Sequence, residues 1–304
     1  MSEEKLERRS KIMTVGDAVG SFVREGCVLG VGGMHMHNNP MGVIRELVRQ
    51  KKKVKTLITS PSANVNADML VGAGLVEELI APYMGFEHMG LSQNYRTAAE
   101  QKRIRVRESD EAFSVYSLRA GASAMPFIPY PKGLDLSDVP KLNPDDYRYT
   151  KDPFTGEEVL CIRAINPDVS FIHCQKSDVY GNAIFEGSRF TDFDMIKASD
   201  KVVLMVEEIV SDDHILKNPM KTSVPGFLVD AVVHMPYGCH PTASHMFYSY
   251  DEEHLAEYIK ASKENFGAYL DRYVYGPADH DEYIGLIGGE AKLRKLVERG
   301  RVVW

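Results

Sequence analysis

Residues 27–50 constrain the fold more than any other stretch. Cys27-Val-Leu-Gly-Val-Gly-Gly-Met-His-Met-His-Asn-Asn-Pro runs directly into Met41-Gly-Val-Ile-Arg-Glu-Leu-Val-Arg-Gln. Val28, Leu29 and Val31 make a short apolar run, as expected of a strand buried on both faces. Gly30, Gly32 and Gly33 remove side chains where the chain must turn sharply or let a ligand approach the backbone. Asn39 before Pro40 reads as an N-cap with proline at the first helical position, and Ile44, Leu47 and Val48 recur behind it at helical spacing. A strand, a glycine turn and a helix start together predict an α/β ligand site whose free amides suit an anionic or thioester ligand. His35 stands where a third glycine would complete the dinucleotide-binding fingerprint, so this is not that motif.

Repetition of the same unit sets the fold class. Val54–Thr59 and Val76–Ala81 read as strands, with Ala67–Ala73 helical between them and polar loops at 60–66 and 83–87. Ile104–Glu108 alternates like a strand, and a helix follows over Ala112–Ala120. Val169–Cys174, Lys201–Val206 and Leu228–His234 are further strands, with helices over Asp192–Ala198, Glu252–Ser262 and Glu290–Glu298. The pattern predicts an α/β fold: an open, mostly parallel sheet with helices on both faces. Residues 1–11 read as a disordered tail, and 12–304 as a single domain. Residues 121–133 read as an irregular connection and 134–157 as a long surface excursion.

Composition narrows the function. A net charge of −7 argues against a nucleic-acid partner. No apolar run approaches the length of a membrane span, and the charged first ten residues contain no signal-peptide core. The four cysteines form no CxxC pair and sit in apolar contexts, as expected of reduced, buried thiols in a cytoplasmic protein. His35-x-His37 lacks the acids or thiols that would complete a metal site nearby, so no metal is expected.

A set of landmarks carries a resemblance. They are Gly32-Gly33 with Pro40, Arg119-Ala-Gly, Pro126-Phe, Asp152-Pro-Phe and Glu207-Glu-Ile-Val-Ser-Asp, followed by Val229-Asp-Ala-Val-Val, Pro236-Tyr-Gly-Cys-His-Pro and Asp279-His-Asp-Glu-Tyr. In this order, from Met13 to about Gly289, the chain resembles the α-subunits of the family I CoA-transferases, those of the glutaconate CoA-transferase kind in particular. The resemblance implies a heteromer, heterodimeric or α2β2-type, in which a related β-subunit faces this chain across the active site. It implies a coenzyme A thioester as substrate and no permanently bound cofactor. In that family the nucleophile is a glutamate on the β-subunit, within a Ser-Glu-Asn-Gly-like motif, acting by ping-pong acyl transfer. No such motif occurs here; Lys263-Glu-Asn-Phe-Gly lacks the right neighbours.

The resemblance places Gly32 and Gly33 along the cleft, with His35, His37, Asn38 and Asn39 as candidate partners for the acyl group. It also marks a departure. Glu111 stands where typical transferases of the family have glutamine, and a related steroid-ring-opening CoA-thioester hydrolase has an acid there. Glu111 is therefore the candidate catalytic residue of this chain, as a general base once burial raises its pKa. Hydrolase, C–C lyase or decarboxylase chemistry on the same scaffold is the alternative to transfer.

Overall fold

The structure, a computed structural model, describes residues 8–133 and 136–300. Its centre is a nine-stranded sheet. The first parallel strands are β1 (Val28–Val31) and β2 (Val54–Thr59), followed after the two-residue β3 (Ser62–Ala63) by β4 (Val76–Ile80). The two-residue β5 (Tyr83–Met84) and β6 (Arg105–Val106) complete the first half. After a separate small sheet of β7 (Phe127–Pro129), β8 (Tyr147–Lys151) and β9 (Glu158–Arg163), the chain returns to the centre. It does so with β10 (Val169–Ser177), β11 (Ala183–Ile184), β12 (Val202–Ile209), β13 (Thr222–Val224) and β14 (Ala231–His234).

Seven of these strands form a parallel run in the order β14-β12-β10-β1-β2-β4-β6, while β11 and β13 add antiparallel at the far end of β10. From β1 the chain first winds outward through β2, β4 and β6. It then returns to the other side of β1 and winds away through β10, β12 and β14. Strand order therefore reverses between β1 and β10. In open α/β sheets the crevice beyond the strand ends at such a reversal is where ligands bind. The turn after β1 occupies that crevice.

Both sheet faces are buried, which is why the strands read as continuous apolar runs. Leu57, Phe171 and Val203 face one core with Ile44 and Leu47, whereas their neighbours Ile58, Ile172 and Leu204 face the other with Phe113 and Met195. The first core is packed by α1 (Val15–Phe22), α2 (Met41–Arg49), α3 (Val65–Gly72), α4 (Gln93–Glu100) and C-terminal helices. The second is packed by α5 (Glu111–Ala122), the small sheet and, after α6 (Val139–Leu142), by α7 (Asp192–Ala198). No helix among the described residues is long and apolar enough to cross a membrane.

Three expectations need correction. The stretches 121–133 and 134–157 are not loop throughout: they supply β7 and β8, which pair antiparallel with β9. The expected tail is tied down where it is described, because Lys11 N–H donates to Val179 O at 2.8 Å and Lys11 Nζ to Val229 O at 2.6 Å. Residues 1–7 lie outside the described residues. β12, expected to stop at Val206, runs on to Ile209, with Glu207 and Glu208 at its carboxyl end.

Candidate active site

The glycine turn is tighter than the sequence indicates. A Cβ on Gly30 would lie 2.2 Å from Ser170 Oγ, and one on Gly32 would lie 2.8 Å from both Asp192 Oδ1 and Ile172. Gly33 has φ +83°, and a Cβ there would meet the Asn38 carbonyl oxygen at 2.6 Å. Glycine is required at Gly33 by conformation and at the other two by close approach.

The free amides expected here are not free. Gly32 N–H continues the ladder to Phe171 O at 3.0 Å, and Gly33 N–H donates to Asp192 Oδ1 at 3.0 Å. Met34 N–H bonds to His37 O, His35 N–H to Ser62 O, His37 N–H to Met34 O and Asn38 N–H to Ala243 O, all within 3.0 Å. The loop's amides are pinned by one another and by Phe171, Asp192, Ser62 and Ala243, and what it offers a ligand is side chains.

Asn39 does not cap the helix. Pro40 holds the cap position with no side-chain bond, and Asn39 is fully buried. Its Nδ2 donates to His35 O at 2.7 Å, and its Oδ1 accepts from Asn66 Nδ2 at 2.8 Å. Asn38 is equally buried: its Oδ1 accepts from His245 N–H at 3.1 Å and Gln175 Nε2 at 3.2 Å. Both asparagines support the loop from beneath, with their side-chain amides already engaged.

His35 and His37 are the partly exposed members. His35 Nδ1 meets the Glu87 carboxylate, with its ring edge toward Tyr83 at 6.0 Å. His37 stacks on His245 at 4.7 Å between centroids. Burial, then the neighbouring His245 and His35, lower its pKa to about 4, so His37 is neutral at physiological pH, and its buried Nδ1 has no partner among the described residues.

Glu111 lies elsewhere along the same sheet edge. It opens α5, where Asp110 is the cap, accepting from Phe113 N–H at 2.7 Å and Tyr130 O–H at 2.5 Å. Glu111 itself is exposed. β6 stands three strands from β1, roughly 14 Å across the sheet at the usual spacing. The burial expected for a general base is not supplied by this chain's own atoms.

The groups that hold the turn carry no local mark in the sequence. Asp192, at the start of α7, is fully buried; besides Gly33 N–H it accepts from Ser60 Oγ at 3.4 Å, and Thr191 Oγ1 donates to Ser60 Oγ at 2.9 Å. Burial raises its pKa to about 7. Its Oδ2 has no partner among the described residues. On the β10 side, Gln175 Nε2 reaches Ser244 Oγ at 3.5 Å, and Ser244 pairs with His173 Nε2 at 2.9 Å. His173 Nε2 lies 3.6 Å from Glu207 Oε1, which accepts from Tyr248 O–H at 2.5 Å. Burial lowers His173 to about 3 and raises Glu207 to about 8, so the pair is neutral at pH 7. His173, Glu207 and Cys239 are close enough to share a metal ion, as are His240, Asp251 and His254. In both clusters the histidine and carboxyl donors are already engaged with hydroxyls, amides or one another.

The model of the coenzyme A transferase family matches residues 12–235. The chain belongs to that family. As a CoA-transferase chain it is 31% identical to the A subunit of the glutaconate CoA-transferase of Acidaminococcus fermentans, over 96% of both chains. The crystal structure of that organism's glutaconate CoA-transferase superposes with a TM-score of 0.88, covering 94% of this chain and 95% of the other. An uncharacterised protein of Archaeoglobus fulgidus is 35% identical over 95% of this chain, which spans only 65% of that protein. The cholesterol ring-cleaving hydrolase IpdA subunit of Rhodococcus jostii is 29% identical, over 90% of this chain and 95% of the other.

Proposed function

We propose that this CoA-transferase chain is the α-subunit of a heteromer that moves CoA between an acyl-CoA and a small carboxylate, with dicarboxylates of the glutaconate type preferred. The observation that carries the reading is end-to-end similarity to one of the two chain types of glutaconate CoA-transferase, joined to a pocket wall that lacks a nucleophile. Among the described residues, the carboxyls that touch the turn and its support are Asp192 and Glu207, both buried and hydrogen-bonded, and Glu87, held by His35. An attacking carboxylate must be ionised and face the thioester carbon. On this reading it comes from the β-subunit.

In that arrangement Gly32 and Gly33 shape the loop that lines the acyl site, their Cβ positions being taken by Asp192, Ile172 and Asn38. His35 and His37 hydrogen-bond its oxygens, and Asn38 and Asn39 keep the loop in shape. The partner's glutamate attacks the thioester carbonyl, CoA leaves as thiolate, and the acyl-glutamyl anhydride is cleaved by that thiolate to glutamyl-CoA and free carboxylate. The incoming acid then reverses the sequence. Four unpaired, buried cysteines accord with a reducing cytoplasmic setting.

Hydrolysis or C–C cleavage through Glu111 is the second reading, favoured by the similarity to the IpdA hydrolase chain and dependent on a partner that covers α5. One experiment separates them. Co-expressed with its β-subunit, the chain should exchange CoA between glutaconate and acetyl-CoA, and borohydride should trap a glutamyl adduct on the partner. Exchange by this chain alone would overturn the proposal. Loss of thioester hydrolysis in Glu111→Gln, with no trapped adduct, would select the second reading.

A further inference from the structure

A second cavity lies away from the glycine turn, between α1, α2 and the segment that follows residue 277. It measures about 270 Å3, and Gly16, Arg45, Glu46, Arg49, Asp279 and His280 contribute to its wall. That volume is below the usual range for a drug-sized ligand, so a molecule as large as CoA does not fit.

Arg45 is the unusual group. It is 5% exposed, yet no carboxylate among the described residues lies within ion-pair distance of it. Its Nη1 donates to His240 O at 2.9 Å, its Nη2 faces His280 Nδ1 at 3.4 Å, and the Tyr283 ring lies 3.7 Å beneath the guanidinium carbon. All three partners are uncharged. His280 Nε2 sits 2.7 Å from Pro236 O and donates there, which leaves Nδ1 as an acceptor for Arg45. Burial, then Arg45 itself, lower the His280 pKa to about 4.

The acids around it are occupied: buried Asp251 is held by His240 at 3.0 Å and by Lys292 at 3.1 Å. Glu46 is taken by Arg49 and by Gln50 Nε2 at 2.7 Å, while Asp279 accepts from Glu282 N–H at 2.9 Å and is exposed. Buried arginines are as a rule paired, because an isolated charge is costly to desolvate. Two of its five N–H groups are used in these bonds, one on each terminal nitrogen, and Arg45 lines the cavity.

We propose that this cavity binds one small oxyanion, phosphate or carboxylate, through bidentate contact with Arg45. The fork geometry matches both, and the anion supplies the counter-charge that the fold withholds. The site is separate from the acyl pocket and does not depend on the transfer reaction.

Calorimetric titration of the full chain at pH 7 and fixed ionic strength tests this, with sodium phosphate and sodium acetate as separate probes against a chloride background. One saturable site per chain is expected for at least one anion, and the tighter binder identifies the preferred chemistry. Arg45→Met should weaken that binding by about tenfold or more, since a charged hydrogen bond is lost. Gly16→Leu should do the same by filling the cavity: a Cβ there meets nothing closer than Glu46 Oε1 at 3.6 Å, and Arg45 is untouched. Where Arg45→Met does not fold, the Gly16→Leu result decides. Absence of saturable binding of either anion, or unchanged affinity in Gly16→Leu, would overturn the site.

Discussion

Gly33 and Asp192 show what a single position can and cannot reveal. The need for glycine was legible, because three glycines after an apolar run announce a backbone that turns or admits a ligand. Asp192 was not. It stands 159 positions away and reads locally as an ordinary acid at a helix start, and one sequence contains no signal that joins it to Gly33. Asn39 misleads for the opposite reason: a buried asparagine bonded to its own loop and to the start of α3 looks, in sequence, like a helix cap before proline. Asp192→Ala leaves the Gly33 N–H buried and unpaired, so it should cost about 1–3 kcal/mol and lower the turnover of the assembled enzyme. Asp192→Asn keeps an acceptor at Oδ1 and should retain most of both. Urea unfolding and a CoA-exchange assay measure the two effects. Full activity in Asp192→Ala would mean that the turn holds itself.

At the level of elements, legibility followed burial. β2, β10 and β12 are buried over most of their length around apolar runs that mark them as strands, and the spacing of α7 gives its bounds. β8, Tyr-Arg-Tyr-Thr-Lys, buries only Tyr147 and exposes the rest, so its pattern resembles a loop and only pairing with β9 makes it a strand. The segment 235–248 was opaque for a related reason. It has little regular structure, yet it roofs β10 and β12 and touches the glycine loop at Asn38 and the start of α2 at Gly42. Gly42 N–H donates to Gly238 O at 2.8 Å, and a Cβ on Gly42 would lie 2.0 Å from Met235 Sδ. Gly42→Ala should therefore push helix and roof apart at a cost of about 1–3 kcal/mol, with the denaturant slope unchanged. Met235→Ala in the same chain should cost less than the two changes separately, because each relieves the other. Strict additivity in a double-mutant cycle would show that helix and roof are not in register through this contact.

Across the whole molecule, the polar interior makes stability depend on pH in both directions. His173, His37 and His280 are lowered to about 3, 4 and 4, and burial lowers His240, His245 and His254 as well. The unfolded chain binds more protons than the fold below about 6.5, so stability rises with pH up to that point. Asp251, held low by His240 and Lys292 despite its burial, acts in the same sense further into acid. Asp68, Asp192 and Glu207 are raised by burial to about 6, 7 and 8. Here the fold retains protons that the unfolded chain has released, so stability falls as pH climbs from about 4 toward those values. Below pH 6 the six histidines outweigh the three carboxyls. Above about pH 7 the histidine contribution fades, and Asp192 and Glu207 set the slope, at about 1.4 kcal/mol per pH unit for each fully unmatched proton. Unfolding free energy should therefore peak near pH 6–7 and decline toward pH 8. Asp192→Asn removes one of the two groups on the alkaline side, so its curve should descend less steeply there while its acid limb stays in place. Urea titrations from pH 4.5 to 8.5 on both proteins give the two curves. A wild-type profile still rising at pH 8 would mean that these carboxyls ionise inside the fold without penalty.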